Sequence, residues 1–346
     1  MGTLAIELPR TKDEKQKAAN LAFAAIEKDH GKGAIFSLGK NKGIAMPHIP
    51  TGLASLDNHV LGCGGFPKGR IIEVYGPESS GKTTLCLRTV ASAQGYGELC
   101  AYVDPENALD PVWAAANGVD TKALMVSQPD TGEEALEIVE KLVESGAFGV
   151  IVVDSVSALV PKAELEGDFG DSLPGLQARL MSQAMRKLTS KVRKSQTVLI
   201  FINQIREKIG VMFGSPETTS GGRALKFFAS VRLDVRKIGL LGEKDKPYGN
   251  KVKIKAVKNK VGTPYRLTEV ELLYDGDRIG FNIEGDLIEC AAAAGIIEKT
   301  GAWYSYGGER MGQGLDKASA FMIESLKFEE IRKRLFDHIQ KQKAGE

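Results

Sequence analysis

Eight consecutive residues, Gly76-Pro77-Glu78-Ser79-Ser80-Gly81-Lys82-Thr83, have the spacing G-x-x-x-x-G-K-T. Glycines at both ends let a backbone turn tightly enough to aim several N–H groups at one cluster of phosphate oxygens. In this pattern the lysine reaches the β- and γ-phosphates of a nucleoside triphosphate and the hydroxyl holds Mg²⁺, which assigns those tasks to Lys82 and Thr83. A second signature, Val150-Ile151-Val152-Val153-Asp154-Ser155, is four apolar residues ending in a carboxylate. At the C-terminal edge of a parallel sheet, Asp154 would hold Mg²⁺ through a water. Hydrolysis also needs a base that orients the attacking water. Glu106, in Pro105-Glu106-Asn107, follows an apolar run, and Asp104 competes with it for the role. Gln204, after Leu199-Ile200-Phe201-Ile202-Asn203, carries an amide that can hydrogen-bond a γ-phosphate and so distinguish ATP from ADP.

These groups converge only if the chain brings them to one edge. The run 70–75 is apolar and β-branched, and 84–94 has Leu85, Leu87, Val90 and Ala91 at helical spacing. Strand, glycine loop and helix are the context the phosphate loop requires, with the helix N-terminus adding partial positive charge. Strand-like runs at 71–75, 99–104, 148–154 and 197–203 alternate with helix-like runs at 83–94, 132–145 and 175–195, the pattern of a parallel α/β sheet. Runs 231–237 and 251–257 alternate as in a more antiparallel extension. Residues 11–29 read as one amphipathic helix with Ala18, Leu21, Ala22, Ala25 and Ile26 on one face, stopping near Gly31-Lys32-Gly33. Ala34-Ile35-Phe36 then reads as a short extended segment. This region either packs on its own core or is an arm that docks on a neighbouring subunit. After about 280 the pattern predicts a small α+β region: a helix near 287–294, Trp303-Tyr304-Ser305-Tyr306, and one charged helix over 318–342. The expected fold is α/β, a P-loop NTPase core with a central mostly parallel twisted sheet, an N-terminal helical arm (1–45), the core itself (46–279) and a small α+β C-terminal domain (280–346).

At 346 residues the chain is long enough for more than one domain. Four scattered cysteines without a C-x-x-C pair fit a reducing cytoplasm better than disulfides or zinc, and four isolated histidines argue against a metal cluster. The early charges Arg10, Lys12, Asp13, Glu14 and Lys15 interrupt any leader-type apolar stretch. Ile6 stands where myristoylation wants Ser or Thr, and no apolar run is long enough for a membrane span. A cytoplasmic protein with no membrane partner is expected. A net charge of +2 gives no argument for nucleic acid, so that argument must be local. Residues 251–260 hold five lysines and no acid. In a strand Lys251, Lys253 and Lys255 share a face, which could track a phosphate backbone or protect a sheet edge. Two Gly-rich stretches, 167–175 and the region beyond Gln204 to Gly221-Gly222, leave the same sheet and could line one channel. The second, with Arg206, Lys208 and Phe213, is a candidate order–disorder switch. Arg179, Arg186 and Lys187 lie on the helix after the first stretch.

Four segments together, Gly52-Leu53-Ala54-Ser55-Leu56-Asp57, the run from Gly69 to Leu85, Phe201-Ile202-Asn203-Gln204-Ile205-Arg206 and Gly301-Ala302-Trp303-Tyr304-Ser305-Tyr306, resemble the bacterial RecA recombinase family over residues 14–340. The resemblance implies a helical homo-oligomeric filament on single-stranded DNA. It also implies ATP and Mg²⁺ used to pair and exchange strands with homologous double-stranded DNA in recombinational repair, and stimulated self-cleavage of an SOS repressor. It assigns Glu106 as the water-activating base and Gln204 as the γ-phosphate sensor. Residues 76–84, Asp110, Trp113, Asp154 and Tyr274 become nucleotide contacts, with Thr83 and Asp154 at Mg²⁺. Loops 167–175 and 205–220 become DNA-contacting, with Arg179, Arg186, Arg206, Phe213, Gly221 and Gly222 near the primary strand and Lys253 and Lys255 at a secondary site. Lys258 and Lys260 would reach a neighbour's ATP, Lys226 and Phe227 would sit at the subunit interface, and 14–36 would be the polymerisation arm. The chain departs from the family pattern at Pro105 and Asn107, at Trp113 where Tyr is expected, at Arg223 where Asn is usual, and in 341–346, which carry no acidic run. Three other readings compete: a small-molecule kinase, for which lid arginines and an acceptor pocket are missing; a non-hydrolysing nucleotide scaffold, which Asp154 with Glu106 disfavours; and a hexameric helicase, which the N-terminal helix and C-terminal region disfavour.

Overall fold

A computed structural model describes residues 10–35, 46–168, 175–207, 216–274 and 278–344. It divides into two compact units, Met1–Ala45 and Met46–Glu346.

Among its described residues the first unit holds one helix, α1 (Lys12–His30). Thr11 accepts from Glu14 N at 3.2 Å while the Glu14 carboxylate accepts from Thr11 N at 3.1 Å, a reciprocal cap that fixes the start. Gly31, at φ 90°, closes the end with its N–H on Glu27 O. No residue of α1 is buried, and Leu21 on its apolar face is 73% exposed. Of the extended segment expected at 34–36, residues 34 and 35 are bent, and Phe36 lies outside the described residues. A segment this short makes a strand only when a ladder partner is present.

The second unit opens with β1 (His48–Ile49) and β2 (Phe66–Pro67), paired antiparallel. There follow β3 (Arg70–Gly76), α2 (Lys82–Gly95), β4 (Leu99–Val103), α3 (Pro111–Ala116), β5 (Met125–Ser127), α4 (Gly132–Ser145) and β6 (Phe148–Val153). Next come α5 (Lys162–Leu165), α6 (Leu176–Ser195), β7 (Val198–Glu207), β8 (Glu217–Thr219), α7 (Ala224–Phe228), β9 (Val231–Glu243), β10 (Lys246–Asn259), β11 (Leu267–Leu273) and β12 (Gly280–Phe281). The main sheet runs β12-β11-β10-β9-β3-β7-β6-β4-β5, with β8 beside β7. From β9 to β5 every neighbour is parallel; from β9 to β12 every neighbour is antiparallel. Helices cover both faces of the parallel half, which is why all six residues of β6 are buried and read as an unbroken apolar run. Along β3 the alternation sends Ile72 and Val74 to the core built with Leu85 and Val90 of α2, and Ile71 to the core built with Val139 of α4 and Leu188 of α6. The four parallel strands and three crossover helices stand where the pattern predicts them. The short strand β5 and the strand β11 escaped it, the first for want of length.

A separate three-stranded sheet, β13 (Glu298–Thr300), β14 (Trp303–Tyr306) and β15 (Glu309–Gln313), packs with α8 (Ile283–Ala293), α9 (Leu315–Glu324) and α10 (Phe328–Ala344) around Ile288, Tyr304, Met322 and Ile331. The single helix expected over 318–342 is therefore two. Leu326, at φ 54°, interrupts the i→i−4 ladder, and the turn lets Ile331 and Leu335 of α10 reach the same core as Met322 of α9. No helix among the described residues is long and apolar enough to cross a membrane.

Candidate nucleotide and nucleic-acid site

The phosphate loop joins the end of β3 to the start of α2. Gly76 tolerates no side chain: a Cβ there would lie 2.0 Å from Val235 O. Gly81, at φ 95°, caps α2 in the left-handed region. The loop holds Lys82 8% exposed, with Nζ donating to Pro77 O at 2.6 Å. Burial lowers the Lys82 pKa, and the nearby carboxylates of Asp154 and Glu78 oppose that shift. Thr83 Oγ1 donates to Asp154 Oδ2 at 2.8 Å, and the buried Tyr102 hydroxyl donates to the same oxygen at 2.7 Å. Burial raises the Asp154 pKa while these two hydroxyls pull it down. Ser80 Oγ is buried inside the loop with no hydrogen-bond partner among the described residues. An orphaned hydroxyl and a buried ammonium in one cradle fit a phosphate chain, which would give Ser80 the acceptor it lacks and Lys82 a counter-charge. Among the described residues no cluster of three His, Cys, Asp or Glu exists to cage a metal. Thr83 and Asp154 fit Mg²⁺ instead, which commonly takes one or two protein oxygens and fills its remaining positions with water and phosphate.

The two candidate bases separate by environment. Asp104 is 2% exposed, and its carboxylate accepts from Ala108 N, Leu109 N and Gln128 Nε2 at 3.0–3.3 Å. That carboxylate shapes the turn that carries Glu106. Glu106 is exposed, and its Oε1 accepts from Ser155 Oγ at 2.5 Å, beside Asp154. Asp110 caps α3 through Val112 N at 2.8 Å, and Trp113 on that helix donates its indole N–H to Thr84 Oγ1 at 3.2 Å. Trp113 and Thr84 are thus brought together, 29 residues apart in sequence. Tyr274 leaves the end of β11 two residues after Leu272, whose side chain lies 3.0 Å from where a Gly81 Cβ would stand, and its hydroxyl donates to Gly249 O at 3.2 Å.

Gln204 lies level with Gly76 in the parallel ladder of β3 and β7. Its neighbour Asn203 is fully buried and donates to Glu73 Oε1 at 3.0 Å and to Ser220 O at 3.1 Å, joining both ends of the loop after β7. Glu73, also fully buried, pairs with Arg232, whose guanidinium lies 4.8 Å from the Tyr75 ring centroid. Sequence reasoning missed this buried network. Its one signal was a carboxylate in the middle of the apolar run Ile71-Ile72-Glu73-Val74. Lys258 pairs in register with Arg232, away from the phosphate loop of its own chain. Its ammonium donates to Lys226 O at 2.7 Å and Phe227 O at 2.8 Å, and burial first, then Lys260 and Arg232, lowers its pKa. Lys260 is exposed just beyond β10.

Arg206, Gly221, Gly222, Lys226 and Phe227 line a cavity of about 1000 Å³ at the roots of the two Gly-rich stretches. Phe227 is 68% exposed. Arg179 and Arg186 are exposed and one heptad apart on α6. Phe213, with 169–174 and 208–215, lies outside the described residues. Lys253 and Lys255 share the face of β10 opposite the buried Val252, Ile254 and Ala256. The acid-free row in sequence is not acid-free in space: Glu269 lies across from Lys253, Asp234 lies across from Lys255, and Lys251 pairs with Glu269 at 2.7 Å. Nor is β10 a sheet edge, since β9 and β11 flank it, which removes edge protection as the reason for the lysines.

Two family descriptions match the chain: RecA N-terminal domain over residues 17–279 and RecA C-terminal domain over 285–340. Protein RecA of Rhizobium rhizogenes (strain K84) is 57% identical over 313 residues, 90% of this chain and 86% of that protein. Protein RecA of Parvibaculum lavamentivorans (strain DS-1) is 56% identical over 321 residues, 92% of this chain and 87% of that protein. A crystal structure of the RadB recombinase overlays with a TM-score of 0.49 at 23% identity, covering 65% of this chain and 96% of that one.

Proposed function

The chain belongs to the RecA family, and on that premise we propose that it is a DNA-dependent ATPase that forms helical filaments on single-stranded DNA and exchanges homologous strands in recombinational repair. The observation that carries the reading is the meeting at one sheet edge of Lys82, the Thr83–Asp154 pair and Glu106, with Gln204 level with Gly76 at the root of a long loop. Lys82 and the loop N–H groups bind the β- and γ-phosphates. Thr83 and Asp154 would hold Mg²⁺, which when bound would supply positive charge against the phosphate oxygens. Glu106 accepts the proton of the attacking water, and Ser155 orients its carboxylate. Trp113 stacks on the adenine, Asp110 sets the helix that carries Trp113, and Tyr274 closes the base side. Gln204 senses the γ-phosphate and, through Asn203 and Ser220, reports it to the loop that touches DNA.

Residues 1–45 are the polymerisation arm, whose exposed apolar face needs a partner; 46–279 are the ATPase core and 280–346 the C-terminal domain. Arg179, Arg186 and Arg206 contact the primary strand, and Lys253 and Lys255 contact a second, duplex strand. Lys226 and Phe227 lie at the subunit interface, from which Lys258 and Lys260 reach the neighbour's ATP. The filament acts in the cytoplasm and stimulates self-cleavage of an SOS repressor. Two variants test the site. Lys82→Ala loses turnover with weakened nucleotide binding. Glu106→Gln keeps ATP and single-stranded DNA binding while single-turnover hydrolysis falls at least about 100-fold. Hydrolysis near the normal rate in either variant contradicts the assignment.

A further inference from the structure

Glu106 is tied to the roots of the Gly-rich stretches by two sets of hydrogen bonds joined through the backbone of the 155–157 turn. Its Oε1 accepts from Ser155 Oγ at 2.5 Å, and Ser155 Oγ meets Ser157 Oγ at 2.5 Å. Between them Val156, fully buried, offers its carbonyl to Gln177 Nε2 at 2.9 Å, and the same amide nitrogen reaches Leu159 O at 3.3 Å. The other end of that amide, Oε1, accepts from Gly221 N at 3.1 Å. Gln177 stands in the first turn of α6, directly after the first Gly-rich stretch, and Gly221 stands where the second returns to the fold. One side-chain amide thus touches the exits of both stretches and the turn that orients the base. A steric contact runs beside it: Gly221, at φ 76°, lies so close to Val156 that a Cβ would come within 2.8 Å of its Cγ1. The Gly221 backbone is thus bonded to Gln177 and sits close beside Val156 of the 155–157 turn.

We propose that Gln177 is a positioning residue that couples the Gly-rich loops to Glu106, so that DNA binding sharpens the orientation of the base through Gln177, the 155–157 turn and Ser155. The proposal rests on the DNA-dependent ATPase reading and adds to it the residue through which DNA acts on hydrolysis. Gln177 touches neither substrate nor base, so its removal alters kcat in the presence of DNA and leaves other steps as they were.

The test is Gln177→Leu, which keeps the bulk of the side chain and removes its hydrogen bonds to Val156 O, Leu159 O and Gly221 N. ATP hydrolysis is measured without DNA and at saturating single-stranded DNA, and DNA affinity is measured separately by anisotropy of a labelled oligonucleotide. Expected are DNA-free turnover within about twofold of the unmodified chain, unchanged oligonucleotide affinity, and a loss of about three- to tenfold in DNA-stimulated kcat, the size set by one or two neutral hydrogen bonds. Full stimulation in the variant overturns the proposal, as does a defect confined to oligonucleotide affinity that vanishes at saturating DNA. Should Gln177→Leu fail to fold, Gln177→Glu keeps an acceptor for Gly221 N and removes the donor to Val156 O, with the same selective loss expected and full stimulation again contradicting it. If the unmodified chain is not stimulated by DNA, the ATPase reading itself fails, whatever the variants do.

Discussion

At the scale of single residues, the phosphate loop was legible because its spacing is its chemistry: glycine freedom, an ammonium and a hydroxyl at fixed offsets need no tertiary information. Choosing Glu106 over Asp104 was not legible from position, since both follow the same strand. The choice rests on burial and on the three donors that occupy Asp104. The pairing of Glu73 with Arg232 was hidden for a different reason, because the register of β3 and β9 creates it between residues 159 apart. Asp57 is a further buried acid with a measurable consequence. It accepts from Thr51 N at 3.0 Å and Thr51 Oγ1 at 2.8 Å, yet burial, with the buried Asp286 adding repulsion, pushes its pKa from 3.8 to about 8. The folded chain therefore holds this proton more tightly than the unfolded chain. Its contribution to stability is complete below 3.8 and is lost as pH rises through about 8. Asp57→Asn should flatten that part of the stability–pH curve while keeping an acceptor for Thr51, so the variant gains relative stability toward pH 8 in thermal melts. Parallel curves for the two proteins would contradict the shift.

At the scale of elements, periodicity found the long buried strands and the crossover helices because each carries a full repeat of its own period. It failed where length or context decides. Three-residue β5 has too few positions to show a period, and the break between α9 and α10 depends on Leu326 turning left-handed so that two helices can share one core. The lysines of β10 show what pairing adds. Sequence left edge protection and DNA contact open; flanking strands on both sides remove the first, and Glu269 and Asp234 partly offset the charge needed for the second. Lys253→Ala with Lys255→Ala should leave the melting temperature and filament assembly near normal, because both side chains lie opposite the buried face. Strand exchange should fall severalfold, and the salt slope of duplex binding should drop by about two phosphate contacts. Equal loss of assembly and exchange would make these lysines structural.

At the scale of the whole molecule, the resemblance implies what neither composition nor one chain displays: a site completed by a neighbour. In this chain Lys258 points to the carbonyls of Lys226 and Phe227, beside the exposed Phe227 ring, and not to its own Lys82. If Lys258 acts on the next subunit's ATP, Glu106→Gln and Lys258→Ala should each be nearly inactive alone. A random equal mixture should recover about a quarter of normal hydrolysis, since a head-to-tail contact then pairs an intact Glu106 with an intact neighbouring Lys258 at one interface in four. No recovery would assign Lys258 to its own subunit. The account as a whole stands on ATP hydrolysis being coupled to DNA. The most direct measurement is ATP hydrolysis with and without single-stranded DNA across a salt series. The account predicts a large stimulation that fades as salt rises, because counterions compete for the phosphate contacts. Hydrolysis indifferent to DNA at every salt concentration would contradict it.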